Sequence, residues 1–409
     1  MSVLKKIFDN NVAYFIFFFF IFASFIDYVN PALSYSHRPI CITLYAMNLY
    51  SFLDFNKIKL TKLKLHETLI ITCIICCNIS SILNVNFLGY DKYFKEFYYA
   101  IFIFLSLRCF LRRLSVKQIE YSIVMGSSLG AFISLIAYIC YFDSYNIDQI
   151  GAFDGYRLTG FIGKDPNYAM TNFVLFISYC LSNNCKKYKI GFFLASLCLI
   201  FSMSRGSFIA IFFSLFFYFF LSRNKLFFLK RILKVSSILV LLASMFLLIA
   251  YSFQNLDFIF NRFTVSSISS GGDRLLLWQW AIQTIKENYI YGIGWGNTRF
   301  YNKIHNNWGL VNHNTYLDFF VEGGLFVGCL YLIFNIWILY RLLIISYDHK
   351  SLGINFNYLI LSHIMLAIMF CFVSGGFLRP SYVIFLAILE RYMELDYKDL
   401  EVDFNEFSK

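Results

Sequence analysis

Charge is scarce in this sequence. Of 409 residues, 59% are apolar, 21% are aromatic and only 14% are charged, whereas soluble domains carry about 25% charged residues. This shortage excludes an ordinary soluble domain. Apolar runs long enough to cross a bilayer, which takes about 17–25 residues, recur along the chain. The sequence therefore predicts an all-α polytopic membrane protein with about twelve transmembrane helices.

Motifs that hold a metal or form a covalent serine intermediate are also missing. The chain has no HExxH sequence, no cysteine–histidine metal spacing and no GxSxG sequence between a predicted strand and a helix, as a nucleophile elbow requires; each of these is needed for its chemistry. The outer loops have no Asp-x-Asp pair. The glycine-rich Gly292–Gly296 lacks the preceding strand and following lysine of a phosphate loop, which favours a turn. We predict a reaction without metal or cofactor.

Neither long outer loop contains a cysteine. Almost all of the 11 cysteines lie in or beside apolar runs, which favours small buried hydrophobic residues over disulfides. The two halves of the chain show no internal repeat. Repeats are common in secondary transporters, so their absence counts modestly against transport.

Basic residues are present in alternate short loops, and this is the positive-inside pattern of a membrane protein. The net charge of +11 therefore reflects topology rather than nucleic-acid binding. An even number of spans puts both termini in the cytoplasm. The first apolar run is too long for a signal peptide and is interpreted as a retained helix. The clustered basic residues are Lys57, Lys59, Lys62, Lys64; Arg108, Arg112, Arg113, Lys117; Lys186, Lys187, Lys189; and Arg223, Lys225, Lys230, Arg231, Lys234.

Residues 1–409 are predicted to form a single integral membrane domain with two long periplasmic loops, at 143–166 and 254–312. Long structured loops in a compact domain are usually functional. The second loop contains a predicted amphipathic helix near 274–288 that lies in the outer membrane interface, with Leu275, Trp278, Ile282 and Ile285 on its apolar face. The predicted spans are 12–29, 39–55, 67–83, 95–111, 121–142, 167–182, 190–203, 207–222, 235–253, 314–340, 357–374 and 380–392.

Several arginines lie in the segments predicted to face the periplasm, although the positive-inside pattern places basic residues on the cytoplasmic side. They include Arg157, Arg205, Arg274 and Arg299, with Lys164 in the first long loop. Guanidinium groups bind phosphate oxygens bidentately, so this excess predicts an anionic ligand; solvated loop charge is the alternative. Arg205 lies in a hairpin, FSMSRGSFIA, with almost no loop between two apolar runs, where ionisable residues are costly and are functional candidates by default.

His313 opens the tenth predicted span, between two asparagines and about two turns before Glu322. A neutral imidazole, with an unperturbed pKa of about 6.5, is a suitable base for a hydroxyl group. The alternative is an interfacial histidine that caps a helix. His363, near the middle of a span, is interpreted as a buried hydrogen-bonding residue rather than a proton relay.

Four segments in order carry a family resemblance: RLTGFIGKDPNYA, SRGSFIA, the arginine-led helix with GIGWG after it, and HNTYLDFFVEGGLFVG. Together they resemble the O-antigen polymerase and ligase superfamily, bacterial envelope glycosyltransferases of the GT-C type. The resemblance covers residues 150–340 by motif and the whole chain by helix count. Its most specific part is the His-Asn opening of a span followed by Glu and Gly.

The resemblance implies a metal-independent enzyme of the bacterial inner membrane, whose active site faces the periplasm and whose donor is a glycan on undecaprenyl diphosphate. It implies that His313 is the general base on the acceptor hydroxyl, that Arg205 and Arg274 bind the diphosphate, and that Arg157 lies over the glycan or diphosphate. The predicted substrate-binding set also includes Lys164, Asn314, Glu322 and Arg299.

The resemblance leaves polymerase and ligase open. A polymerase transfers the glycan to another lipid-linked repeat unit, and a ligase transfers it to lipid A-core. The KDPN sequence after a loop arginine favours a polymerase. However, the glycine that some polymerases have eleven residues after each loop arginine is replaced by Tyr168 after Arg157 and by Asp273 after Arg262.

A lipid-linked oligosaccharide flippase is a further alternative. A flippase should hold its charges in a central cavity that opens to both sides, whereas these charges gather at the outer face. The predicted partners are the undecaprenyl-diphosphate-linked donor and acceptor, membrane lipid and a chain-length regulator protein, with no nucleic acid.

Overall fold

The computed structural model describes residues 2–26, 39–52, 64–84, 90–140, 158, 166–183, 188–202, 204–221, 274–348 and 356–394. Arg157, Lys164 and the predicted span 235–253 lie outside the described residues, as does the part of the large loop before residue 274.

The described residues fold into α-helices and one short 3-10 helix, with no strand among them. The all-α prediction is therefore confirmed for this part of the chain. The helices are α1 Ser2–Ile26, α2 Pro39–Phe52, α3 Leu65–Leu83, α4 Tyr90–Leu111, α5 Val116–Cys140, α6 Pro166–Thr171, α7 Val174–Ser182, α8 Lys189–Ser202, α9 Arg205–Leu221, α10 Arg274–Glu287, α11 Thr298–Asn306, α12 Thr315–Asp348, α13 Asn357–Met369 and α14 Pro380–Met393, with the 3-10 helix at Gly376–Leu378.

Two of these helices are long and apolar enough to cross a membrane, at Val116–Cys140 and Thr315–Ser346. A helix rises about 1.5 Å per residue, so about 20 residues span the hydrocarbon core. Shorter apolar helices occupy Asn11–Phe25, Glu67–Leu83, Tyr98–Leu111, Lys189–Ser202, Arg205–Phe220 and Asn357–Met369.

The predicted span 167–182 is wrong as a single helix, because it divides into α6 and α7. The break lies at Asn172 and Phe173, where the Phe173 N–H donates to Met170 O in a tight turn at 3.1 Å. Asn172 Nδ2 donates to Ser24 O of α1 at 3.0 Å. The Phe173 ring packs on Phe25, also of α1, at 4.8 Å between centroids. Contacts with α1 therefore compensate for the interrupted helix.

Helices that are distant in sequence pack as neighbours. Helix α1 packs on α2 and α5, α3 packs on α12, α4 packs on α14, and α13 packs on α7 and α9. Aromatic side chains fill much of the core between them, and Phe17, Phe110, Phe176 and Phe334 are fully buried. The core therefore combines residues from both ends of the sequence.

One end of the bundle is held by partly buried ion pairs, and we call it the charged end. Lys64 Nζ lies 2.7 Å from Glu390 Oε1, and Arg108 Nη1 lies 2.6 Å from Glu67 Oε1. These pairs join α3, α4 and α14, and Arg112 adds a bidentate pair with Glu394. Removing one partner of a buried pair leaves an uncompensated charge, which costs about 3–5 kcal/mol.

Candidate functional site

At the opposite end, α12 is interrupted at Gly324, and the segment that contains GIGWG lies beside this interruption. Gly324 has φ 79° and ψ −179°, a conformation essentially restricted to glycine. Three backbone hydrogen bonds join the two segments: Ile293 N–H to Val321 O at 2.9 Å, Gly294 N–H to Glu322 O at 3.0 Å, and Leu325 N–H to Tyr289 O at 2.8 Å. The unwound backbone is thus paired within the protein, as an apolar environment requires.

The glycines of this region permit the close approach of the two backbones. A Cβ on Gly292 would lie 2.5 Å from the Glu322 carbonyl oxygen, and one on Gly324 would lie 2.4 Å from Ile290 O. The end of α3 holds the same segment: Asn84 Nδ2 donates to Gly292 O at 3.1 Å, and Ser80 Oγ donates to Tyr291 O and Glu322 O. GIGWG therefore has a structural role at a turn, as the sequence predicts.

Glu322, in α12, is buried against the beginning of α11. Its Oε1 accepts a hydrogen bond of 2.7 Å from Thr298 Oγ1, and Thr298 is the first residue of that helix. A carboxylate at a helix N-terminus is stabilised by the helix dipole. Glu322 therefore ties α11 to α12, and its predicted contact with substrate stays a prediction.

Helix α11 is a second helix within the predicted loop 254–312, where the sequence predicts a helix only near 274–288. It packs beside α10 through Glu287, whose carboxylate accepts hydrogen bonds from Gln283 Nε2 at 2.6 Å and Tyr301 Oη at 3.1 Å. These bonds hold the pKa of Glu287 below its usual value, and burial raises the pKa of Tyr301.

Helix α10 is present where the interfacial helix is predicted, and it packs on the protein through a face other than the predicted apolar one. Leu277, Ala281 and Thr284 are buried, whereas Leu275 and Ile282 are 51% and 48% exposed. Ala281 packs with Ile293 and Val321, because α10 lies against α12. Leu275 and Ile282, on the predicted apolar face, are left exposed by the protein, as a helix whose apolar face enters a membrane interface requires. The position of this helix in a membrane interface stays a prediction.

His313 occupies a strained turn that is held on both sides. Its φ of 50° is in the left-handed region, which is uncommon for a residue with a side chain. Before it, Asn312 O accepts a hydrogen bond of 3.0 Å from Trp278 Nε1 of α10. After it, Asn314 Oδ1 accepts hydrogen bonds from the N–H groups of Tyr316 and Leu317 and caps α12.

The segment 370–376, which we call the crossing turn, lies against the start of α12. Thr315 N–H donates to Phe370 O at 2.8 Å, and Thr315 Oγ1 donates to Val373 O at 2.6 Å and accepts from Gly376 N–H at 2.9 Å. These bonds explain why α13 ends at Met369 and does not continue to the predicted 374.

The helices that begin with Arg205 and Arg274 both contact Phe372 of the crossing turn. Arg274 Cζ lies 5.8 Å from the centre of the Phe372 ring, within cation–π range. Gly206, next to Arg205, packs so closely that an added Cβ would lie 2.8 Å from Phe372 Cβ. Arg205 and Arg274 are the first residues of α9 and α10, so two positive helix ends approach the turn beside His313.

The motif RLTGFIGKDPNYA contributes two further contacts to the hairpin between α8 and α9. The Leu158 N–H donates to Phe201 O at 2.9 Å. Asn167 Oδ1 accepts a hydrogen bond of 2.7 Å from Ser204 Oγ, which is adjacent to Arg205. The motif segments therefore lie beside the start of α9, although Arg157 and Lys164 themselves are outside the described residues.

Arg299 is placed differently from the other predicted arginines. It is exposed on α11, and its Nε donates to Gly309 O at 2.9 Å, which holds the chain that follows that helix. His363 is a buried hydrogen-bonding residue, as predicted: it is 3% exposed, and its Nε2 donates to Asn335 O at 3.0 Å.

Asp318 is the residue of this region that the sequence analysis missed. Its carboxylate accepts hydrogen bonds from Asn312, Ser374 and Gly375. With Glu322 it lines a small cavity of about 10 Å³ between α3, α12 and the crossing turn, about enough for one water. The signal was an acidic residue inside an apolar span, which is costly unless it has partners.

Within the described residues, no three His, Cys, Asp or Glu side chains form a group that could hold a metal ion. The candidate site consists of the turn that holds His313, which we call the histidine turn, the starts of α9 and α10 with Arg205 and Arg274, and the crossing turn.

Two comparisons with known proteins bear on this site. A search against curated proteins gives no match. A family model described as O-antigen ligase matches residues 190–332, a segment that includes Arg205, Arg274, Arg299, His313, Asn314 and Glu322 and excludes Arg157 and Lys164. This match confirms, for residues 190–332, the resemblance to the O-antigen ligase and polymerase superfamily found in the sequence motifs.

Proposed function

We propose that this protein is a membrane glycosyltransferase that joins undecaprenyl-diphosphate-linked oligosaccharide repeat units, an O-antigen or related polysaccharide polymerase. The observation that carries the proposal is the meeting of two arginine-led helices at Phe372, beside the turn that holds His313. The family match supports the broader statement that the activity is that of a polymerase or ligase acting on lipid-linked glycans in a membrane.

In the proposed reaction, His313 accepts the proton of the acceptor hydroxyl, and the hydroxyl oxygen attacks the anomeric carbon of the donor glycan. The bond between that carbon and the diphosphate breaks, and undecaprenyl diphosphate leaves with the bonding electrons. Its negative charge needs fixed cations in an apolar site, a form of stabilisation that usually contributes most to catalysis. Arg205 and Arg274 provide these cations, and the N-termini of α9 and α10 add partial positive charge.

The proposed topology has about twelve spans, with both termini in the cytoplasm and the candidate site at the periplasmic face of the inner membrane. The basic residues of the charged end, such as Lys64, Arg108 and Arg112, agree with a cytoplasmic position. The apolar helices of membrane-spanning length support a multi-pass chain. The interface position of α10 is part of the same proposal.

The second candidate function is an O-antigen ligase, which transfers the lipid-linked glycan to lipid A-core. It is favoured by the description of the matching family model. The two functions share the donor and the base, and they differ in the acceptor.

The decisive experiment supplies the purified protein with a lipid-linked repeat unit, with and without lipid A-core. We expect a ladder of products without the core acceptor and in the presence of a chelator. A single transfer that requires lipid A-core would establish the ligase instead. If neither product forms but the lipid-linked unit crosses the bilayer of proteoliposomes, the protein is a flippase. Loss of product in chelator that a divalent ion restores would refute the metal-free reaction.

A further inference from the structure

Asp318 is bonded to two separate parts of the candidate site. It lies one turn into α12 and lines the small cavity between α3, α12 and the crossing turn. Its two carboxyl oxygens accept hydrogen bonds from three donors. Within the described residues, no basic side chain forms an ion pair with it.

The first connection runs to the histidine turn. Asn312 Nδ2 donates to Asp318 Oδ1 at 3.1 Å, while the carbonyl of the same asparagine is held by Trp278. Asn312 is only 1% exposed and directly precedes His313. Because the histidine has a left-handed backbone conformation, fixing the residue before it also restricts the direction of the imidazole.

The second connection runs to the crossing turn. Ser374 Oγ donates to Asp318 Oδ1 at 3.3 Å, and the Gly375 N–H donates to Oδ2 at 3.2 Å. Ser374 lies two residues after Phe372, whose ring is covered by Arg274 and whose Cβ abuts Gly206. This connection therefore fixes the surface on which the starts of α9 and α10 meet.

We propose that Asp318 is a positioning residue that sets the place of the His313 base relative to the diphosphate-binding arginines; the inference rests on the proposed function. The Asp318 carboxylate is hydrogen-bonded on one side to Asn312, next to His313, and on the other side to the crossing turn, so a displacement of either segment moves the other. A displacement of about 1 Å in such a site costs up to about 100-fold in rate, which gives this connection its catalytic weight.

The two connections can be separated by mutation. Asn312→Ala removes the bond on the histidine side and should lower kcat about tenfold or more with little change in KM, because only the base is released. Ser374→Ala removes a bond on the arginine side and should weaken undecaprenyl diphosphate binding several-fold. Asp318→Ala should show both effects. The double variant Asp318→Ala with Asn312→Ala should be no slower than Asp318→Ala alone, because both remove the same bond.

Asp318→Asn has the same shape and guards against loss of the fold. Glu120→Gln is the matched control, since Glu120 is also a helical carboxylate that accepts hydrogen bonds, from Tyr179 Oη at 3.1 Å and Tyr392 Oη at 3.4 Å, and it lies outside the site. We expect this control to keep wild-type kcat, KM and diphosphate affinity. Additive effects of the Asp318 and Asn312 variants, or equal losses in Glu120→Gln, would overturn the proposal.

Amide hydrogen exchange separates a failure of this proposal from a failure of the proposed function. If the wild-type protein transfers no glycan, the function fails, but the connection made by Asp318 is still measurable. Asp318→Asn should then raise exchange at residues 312–317 and 372–376 together, while Glu120→Gln leaves both segments unchanged. An Asp318→Asn variant that changes neither segment, or only one of them, refutes the positioning role.

Discussion

At the scale of single residues, the two arginines of the site have the same local setting. Arg205 and Arg274 each begin a helix, and both helices reach Phe372. A guanidinium at a helix N-terminus is unfavourable by itself, because the helix dipole is positive there. The setting becomes favourable when an anion binds between the two helix ends, which is why we assign the diphosphate to this position.

Arg205→Ala and Arg274→Ala should each weaken the binding of undecaprenyl diphosphate by about 10- to 100-fold, because a hydrogen bond to a charged group contributes about 1.5–3 kcal/mol. Titration of the purified protein with the lipid measures this. Lys286→Ala is the control, since Lys286 is an exposed basic residue at the other end of α10. Unchanged affinity in both arginine variants would remove the anion site.

Individual residues were predictable from sequence to different extents. Arg205 and His313 could be found because each interrupts or opens an apolar run. Asp318 was missed because its partners Ser374 and Gly375 are more than fifty positions away, and such pairing depends on the packing of α13 against its neighbours. Asn314 and Glu322 were predicted to bind substrate, but the sequence could not show that both side chains are hydrogen-bonded within the protein.

At the scale of elements, the interruptions of helices position the site. The apolar pattern predicted five helices to within three residues at each end: 39–55, 67–83, 190–203, 207–222 and 380–392. It did not predict that 167–182 is broken, that α13 ends at Met369, or that α11 forms within the large loop. At the two helix interruptions tertiary hydrogen bonds outweigh local propensity, as when Thr315 bonds to the carbonyls of Phe370 and Val373.

Gly324→Ala should lower the free energy of unfolding by about 2 kcal/mol or more, because the backbone conformation is restricted to glycine. The new methyl would also lie 2.4 Å from Ile290 O. Thermal unfolding in detergent measures the effect. Gly309→Ala is the matched control, since its added Cβ would meet nothing closer than 3.7 Å. Equal unfolding temperatures for the two variants would contradict the structural role of the interruption.

At the scale of the whole molecule, the two ends of the bundle differ in their chemistry. Ion pairs between Lys64 and Glu390 and between Arg108 and Glu67 hold one end. The other end contains the interruption of α12 at Gly324, the crossing turn and the candidate site. The long apolar runs predicted the all-α class, because backbone polar groups inside a bilayer must be paired within the protein and a run of about 20 apolar residues pairs them as a helix. The number of spans and their direction stay predictions, since they depend on segments outside the described residues.

The central claim is that His313 acts as the base at a site whose arginines hold the lipid diphosphate. His313→Asn is the most direct variant, because asparagine tolerates the left-handed backbone while it removes the imidazole. His305→Ala is the control, since His305 is exposed on α11 and stacks on Tyr301.

The measurement is glycan transfer by the purified protein, followed together with undecaprenyl diphosphate binding. The account predicts that His313→Asn loses transfer by about 10²- to 10⁴-fold, the usual contribution of a general base. It predicts that diphosphate affinity stays near wild type and that His305→Ala transfers normally. Near-wild-type transfer by a folded His313→Asn protein would contradict the account.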